Sequence, residues 1–341
     1  MHAFHPSIVA LALASATTLA GAATYRAQDL GNLGASSVSV AGMNASGQVI
    51  GQSARAGGAL PHAFATGPAG AGMVDLCASL PDNACGATAI NMFGEVVGWI
   101  DNGLSFVVNA DGTSFQTVSG ARLVSINYDH SVAANVVVDD NGKTRAAVAY
   151  NPFGPYHQIS SLTGTGGQST ATDMSDKVVG CSLTALGQTH AFRAKSRVTK
   201  EMDDLGTLGG PNSCATALDT DDNIVGYADT PDGTHAFFRG KKLNPMKDLG
   251  TLGGTYSAAT GAAIGTKHHQ HVVGYSTIGA DAQLTHAFVY DMQKGRMIDI
   301  NTLVDLPGVT FDRAMAINGL DQIAATSSDG RAWLLTPIDH H

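Results

Sequence analysis

The chain has 341 residues, of which 41 are glycine and only 14% are charged. Its formal net charge is −9, and no basic run exceeds short pairs such as Lys241-Lys242. That balance excludes nucleic acid and an anionic membrane surface as partners, because nothing would neutralise their phosphates.

Glycine and β-branched residues at this density predict many short strands joined by tight turns. Residues 1–23 stand apart. An apolar run, Ile8-Val9-Ala10-Leu11-Ala12-Leu13-Ala14, is followed by the small residues of Leu19-Ala20-Gly21-Ala22-Ala23. This pattern predicts a secretory signal peptide cleaved near Ala22 or Ala23. Nothing later is long and apolar enough to span a bilayer. Residues 24–337 are expected to form one domain. Residues 338–341 are a short tail, with His340-His341 reading as a possible tag remnant.

One motif then recurs. Gly47-Gln48-Val49-Ile50-Gly51 returns as Gly94-Glu95-Val96-Val97-Gly98, Asp176-Lys177-Val178-Val179-Gly180, Asp222-Asn223-Ile224-Val225-Gly226 and Gln270-His271-Val272-Val273-Gly274. Ala134-Asn135-Val136-Val137-Val138 and Asp321-Gln322-Ile323-Ala324-Ala325 read as two worn copies. Intervals of about 40 to 50 residues belong to repeated units that must stack to bury a face. Within Ser213–Gly254, turn residues separate four short apolar segments, which predicts a four-stranded meander.

The two ends complete each other. Tyr25-Arg26-Ala27-Gln28-Asp29-Leu30 matches the fourth strand of a unit, and Ala314 to Leu335 supplies only the first three. Joining them predicts an all-β, seven-bladed β-propeller whose N-terminal strand completes the last blade and removes two sheet edges. Cys77 and Cys85 read as a local clip, and Cys181 and Cys214 as a staple between neighbouring units. Four cysteines allow three pairings and fit an oxidising compartment, which makes the protein secreted or periplasmic.

The ordered set Leu-Gly-Thr-Leu-Gly-Gly (205–210 and 249–254), Ser-x-Ala, Asn-x-x-Gly-x-Val-Val-Gly and His-Ala-Phe resembles the bacterial extracellular HAF repeat. The triplet stands at His62-Ala63-Phe64, His190-Ala191-Phe192, His235-Ala236-Phe237 and His286-Ala287-Phe288. It is lost at Leu104-Ser105-Phe106, Arg145-Ala146-Ala147 and Arg331-Ala332-Trp333. The resemblance covers Tyr25 to Leu335. It implies an exported repeat protein and carries over no catalytic residue.

Equivalent histidines in different blades lie too far apart to share an ion with bonds of ~2.1 Å. The repeated His is therefore expected to bond either a neighbouring turn or the fourth-strand Asp (Asp75, Asp204, Asp248, Asp299), and the repeated Phe to pack between sheets. Function is sought where units differ. Tyr128, Asp129 and His130 in the first hairpin of unit three, with Phe153, Tyr156 and His157 in a Pro-containing turn of the same unit, suit a sugar or peptide surface. His268, His269 and His271 are candidate ligands for a transition metal, and Asp219 and Asp221 for calcium, although no cofactor is required. Asp101, Asp139, Asp140, Asp232 and Asp312 are the loop carboxylates that an extracellular polysaccharide hydrolase or lyase would need as an acid/base pair. No nucleophile elbow or zinc-protease stretch is present. The expectation is a monomeric binding module for carbohydrate or protein. The alternatives are a propeller enzyme and a purely structural envelope protein.

Overall fold

The computed structural model describes residues 24–338 except 58–59, 81, 164–167, 176, 196–201, 220, 242–244, 265–269 and 280. The expected signal segment, residues 339–341, and His268 and His269 lie outside the described residues. The chain forms seven four-stranded antiparallel sheets in sequence order, a seven-bladed β-propeller. Blades 1 to 6 span 34–75, 85–118, 122–158, 169–204, 213–248 and 257–299. Blade 7 combines 311–337 with β1 (Tyr25–Asp29) as its outermost strand. The register runs from Tyr25 opposite Pro337 to Asp29 opposite Trp333.

The repeated phenylalanine explains how blades stack. Phe64, Phe106, Phe192, Phe237 and Phe288 are fully buried. Each enters the apolar layer of the preceding blade. Phe237, for example, lies with Val179, Ala191 and Leu205 of blade 4. Trp333 takes the same place in blade 7, against Val273, Ala287 and Val289. Removing one such ring from water contributes about 2–3 kcal/mol.

Opposite each of these phenylalanines sits the glycine that follows the paired β-branched residues, while Trp333 faces Ala325. A Cβ on Gly226 would lie 2.0 Å from the Cys214 carbonyl oxygen and 2.8 Å from the Phe237 ring. Gly180 and Gly274 meet the same obstacle, each 2.0 Å from a carbonyl oxygen of the inner strand. Blade 3 dispenses with both members of the pair. Its register sets Ala134 opposite Ala147, where blade 1 sets Gly51 opposite Phe64. Val132-Ala133-Ala134 is thus the true third copy. The sequence reading placed it four residues late, because Val136-Val137-Val138 offers the stronger apolar match once the glycine has gone.

The third-strand histidine does bond the fourth-strand aspartate. His62 Nδ1 lies 2.9 Å from Asp75, His190 and His235 each 2.9 Å from Asp204 and Asp248, and His286 2.6 Å from Asp299. The same carboxylates accept the backbone N–H two residues on, as Asp248 does from Gly250 at 2.7 Å. Blade 7 substitutes Arg331, which reaches Asp29 at 3.3 Å. The serine of Ser-x-Ala completes the joint. Ser213 and Ser257 accept the N–H of Ala191 and Ala236 in the preceding blade, and each donates to the carbonyl of the intervening Gly-rich turn. The repeat signature therefore ties the third strand to the fourth within a blade, through His and Asp, and one blade to the next, through Ser and Phe.

Both expected disulfides form, Cys77–Cys85 within a short loop and Cys181–Cys214 between blades 4 and 5.

Candidate binding surface at the funnel mouth

Every inner strand carries a register shift near its middle, for instance between Ala215 and Ala217. The extra residue turns toward the axis. In four blades it is a threonine whose hydroxyl donates to the inner strand of the next blade. Thr88 reaches Leu123 at 3.2 Å, Thr172 reaches Ala215 at 2.7 Å, Thr216 reaches Ala259 at 2.6 Å and Thr260 reaches Ala314 at 2.7 Å. Blade 3 has Val124 there. It makes the equivalent bond from its second strand, where Asn135 pairs with the Ala171 backbone.

Above this girdle the inner strands of blades 1, 2, 3 and 7 end in turns that open with an asparagine. Each Asn oxygen accepts its own turn's N–H groups, while its amide donates to the next turn. The relay runs from Asn318 to Asn44 (3.4 Å), Asn91 (3.1 Å), Asn127 (3.2 Å) and the Ser175 carbonyl (3.1 Å). The last turn position is left-handed, with φ of 72° at Gly47 and 84° at Gly94. Among the described residues three blades place a side chain there instead: His130 (65°), Asp222 (65°) and Asp321 (57°). Each is held by the residue preceding Val-Val in the blade before. Glu95 bonds His130 at 2.6 Å, His271 bonds Asp321 at 2.9 Å, and Lys177 pairs with Asp222.

Between girdle and turns lies a funnel of about 680 Å³. Its wall is mostly small and apolar, with Asp173, Asp219 and Asp221 as the charged groups among the described lining residues. Asp173 accepts from Ser125 Oγ (2.7 Å), Leu218 N (2.9 Å) and Met174 N (2.7 Å). Burial nonetheless pushes its carboxyl above the usual range, because desolvation outweighs those bonds. Burial raises Asp219 likewise, against the N–H groups of Asp221 and Asn223.

The rim is apolar on one side. Met92, Phe93, Tyr128 and Leu320 are 59%, 63%, 50% and 54% exposed. All four stand on turns of blades 2, 3 and 7. Phe93 stacks on His130 with centroids 5.7 Å apart, so the cross-blade bond of His130 also orients an exposed aromatic.

The structure divides the residues singled out from sequence. Tyr128, Asp129 and His130 occupy the rim turn of blade 3. Phe153, Tyr156 and His157 do not join them. They belong to the outer hairpin, where the Tyr156 hydroxyl donates to the Pro152 carbonyl and burial pushes its phenol up to about 12. Among the described residues no group of three or more His, Cys, Asp or Glu could hold a metal ion. His271 bonds Asp321, and Asp219 is engaged in its own turn. None of Asp101, Asp139, Asp140, Asp232 and Asp312 lines the funnel. Sequence reading missed Met92, Phe93 and Leu320. Their signal was available, since large apolar residues in the two middle positions of a turn have no reason to be there for folding.

No family model and no curated protein matches the chain. Solved structures do. YCF48 bound to D1 peptide aligns with a TM-score of 0.57 and 11% identity over 93% of this chain and 96% of that one. A prolyl endopeptidase aligns at 0.55 and 13% over 89% of this chain. The present chain spans 50% of that enzyme's length. The β-propeller domain of Cps50 (Swd1) from Myceliophteria thermophila aligns at 0.50 and 11% over 91% and 99%. At these identities the shared property is the fold. Among the described residues no helix is long and apolar enough to cross a membrane.

Proposed function

We propose that the chain is an extracytoplasmic binding module that takes a peptide or protein segment across the funnel mouth. The observation that carries this reading is the gathering of Met92, Phe93, Tyr128 and Leu320 on the turns around one opening. Exposed apolar residues scattered singly need no explanation, but several on one rim do. Aromatic and methionine side chains supply contact area at low entropic cost. The funnel beneath could receive a side chain. The turns themselves are fixed by the asparagine relay and cross-blade pairs, so little ordering would oppose binding.

Export is supported by the two disulfides and by the apolar N-terminal segment. Membership of the HAF-repeat family is part of the same proposal, resting on the recurring Gly-rich turn, Ser-x-Ala and His-Ala-Phe elements. That one structural neighbour was solved with a peptide is compatible with the reading.

The test is a random-peptide array and a glycan array probed with wild type and with a variant carrying M92S, F93S, Y128S and L320S. The expected result is peptide binding by wild type, lost by at least ten-fold in the variant at an unchanged melting temperature. Absence of peptide binding, or equal binding by the variant, overturns the reading.

A further inference from the structure

The opposite end of the axis carries a different surface. Here the second strands finish, and the residue following each Val-Val-Gly glycine faces the next blade. In blades 2, 5 and 6 that residue is aromatic: Trp99, Tyr227 and Tyr275. At the junction of blades 4 and 5 the equivalent residue is Cys181, bonded to Cys214 of the neighbouring inner strand. Two junctions replace that bond with an arginine over a ring. The Arg122 guanidinium lies 5.3 Å from the Trp99 ring centre, and that of Arg313 4.3 Å from Tyr275.

The Arg313 side is the richer. Tyr275 also stacks on Tyr256 with centroids 6.0 Å apart and planes at 28°. Tyr227 is close enough for its charge to raise the Tyr256 phenol, whose largest perturbation is burial. Three half-buried tyrosines therefore share one patch with an exposed guanidinium. Arg313 has no ion-pair partner among the described residues; Arg331, its blade-mate, has two. The nearby carboxylates are engaged elsewhere. Asp312 accepts from the Thr326 hydroxyl at 2.9 Å, and Asp229 accepts from Thr234 and Asn212, each at 2.9 Å.

A guanidinium held over an aromatic ring is already partly ordered and loses little further freedom on engaging a planar carboxylate with two parallel bonds. Phenol rings and hydroxyls beside it suit a flat, hydroxylated ring. We propose that Arg313, Tyr275, Tyr256 and Tyr227 form a site for an acidic sugar. The carboxylate of a uronate residue engages Arg313, and its ring lies against the tyrosines. This site is independent of the funnel mouth at the other end, and either can fail without the other.

The probes are trigalacturonate, neutral galactotriose, inorganic sulfate and the dipeptide Ala-Ala, titrated by calorimetry into the full chain at low salt. Trigalacturonate is expected to bind at least ten-fold more tightly than any other probe. R313A and Y275A should each lose ten-fold or more, R313K should recover only part, and the four-residue rim variant should bind as wild type. Because Arg313 is exposed, R313A is expected to melt normally; Y256F, which keeps the ring, gives a second reading through the loss of one hydroxyl. Failure of trigalacturonate to bind overturns the proposal, as does equal binding of sulfate or the dipeptide, or retention of affinity by R313A.

Discussion

Gly226 shows how a single hydrogen in place of a methyl can set the spacing of a whole sheet. Its missing side chain admits both the Cys214 carbonyl and the edge of Phe237. We expect G226A to destabilise the protein by about 2–4 kcal/mol, the range for overpacking in a dense core. F237A should cost about 3–5 kcal/mol through the cavity it leaves. Blade 3, with Ala134 opposite Ala147, indicates that the two changes compensate. The double variant should therefore lose less than the sum in urea denaturation, and strict additivity would contradict the coupling. Asp173 gives a pH-dependent counterpart. Burial raises its folded pKa above the unfolded value, so its contribution is whole below about pH 4 and is lost as pH rises through the folded pKa. D173N should accordingly melt above wild type at pH 7 and match it near pH 4. Identical curves for the two proteins across that interval would show that the buried carboxyl is not a pH-dependent liability.

At the scale of the turn, among the described residues three blade junctions use a charged or imidazole side chain in a left-handed position and two use glycine. A non-glycine residue there costs about 1–2 kcal/mol, which a partly buried cross-blade pair offsets. Replacing Asp222 separates the two effects. D222G loses the Lys177 pair but relieves the backbone, so its stability should stay within about 0.5 kcal/mol of wild type. D222A loses the pair and keeps the strain, and should fall about 1 kcal/mol below D222G in the same denaturation assay. These contacts also mark where sequence stopped being informative. Blade count, strand order, both disulfides and the His–Asp pairing were legible because they recur at fixed spacing or, like the cysteines, have few partners. Lys177 with Asp222 and His271 with Asp321 were not, because each joins residues almost 50 positions apart whose proximity depends on the ring. Phe93 was visible as a residue and invisible as a site, since its significance comes from Tyr128 on the next turn and Leu320 two turns away on the same side of the rim. Phe153 and Tyr156 stand apart from that rim, on the outer hairpin of blade 3. Aromatics around a proline suggest recognition, yet Tyr156 caps its own hairpin.

The whole molecule holds together as a circle of seven apolar layers, each shared by two adjacent sheets, with β1 as its clasp. Deleting residues 24–30 would strip the outer edge of blade 7 and the Asp29 partner of Arg331. The shortened chain is expected to melt at least 10 °C lower, and a synthetic peptide of Tyr25–Leu30 should restore part of that loss when added in excess. No effect of the peptide would argue that β1 is an ornament. The clasp has a further implication for biogenesis. Within the propeller, Tyr25 is synthesised before every other strand and its partner, Ala332–Pro337, after all six preceding blades. Until then the ring cannot close, and β1 must wait, unmated, while the six intervening blades are made. A propeller assembled this way closes its ring only after the third strand of its last blade has been delivered.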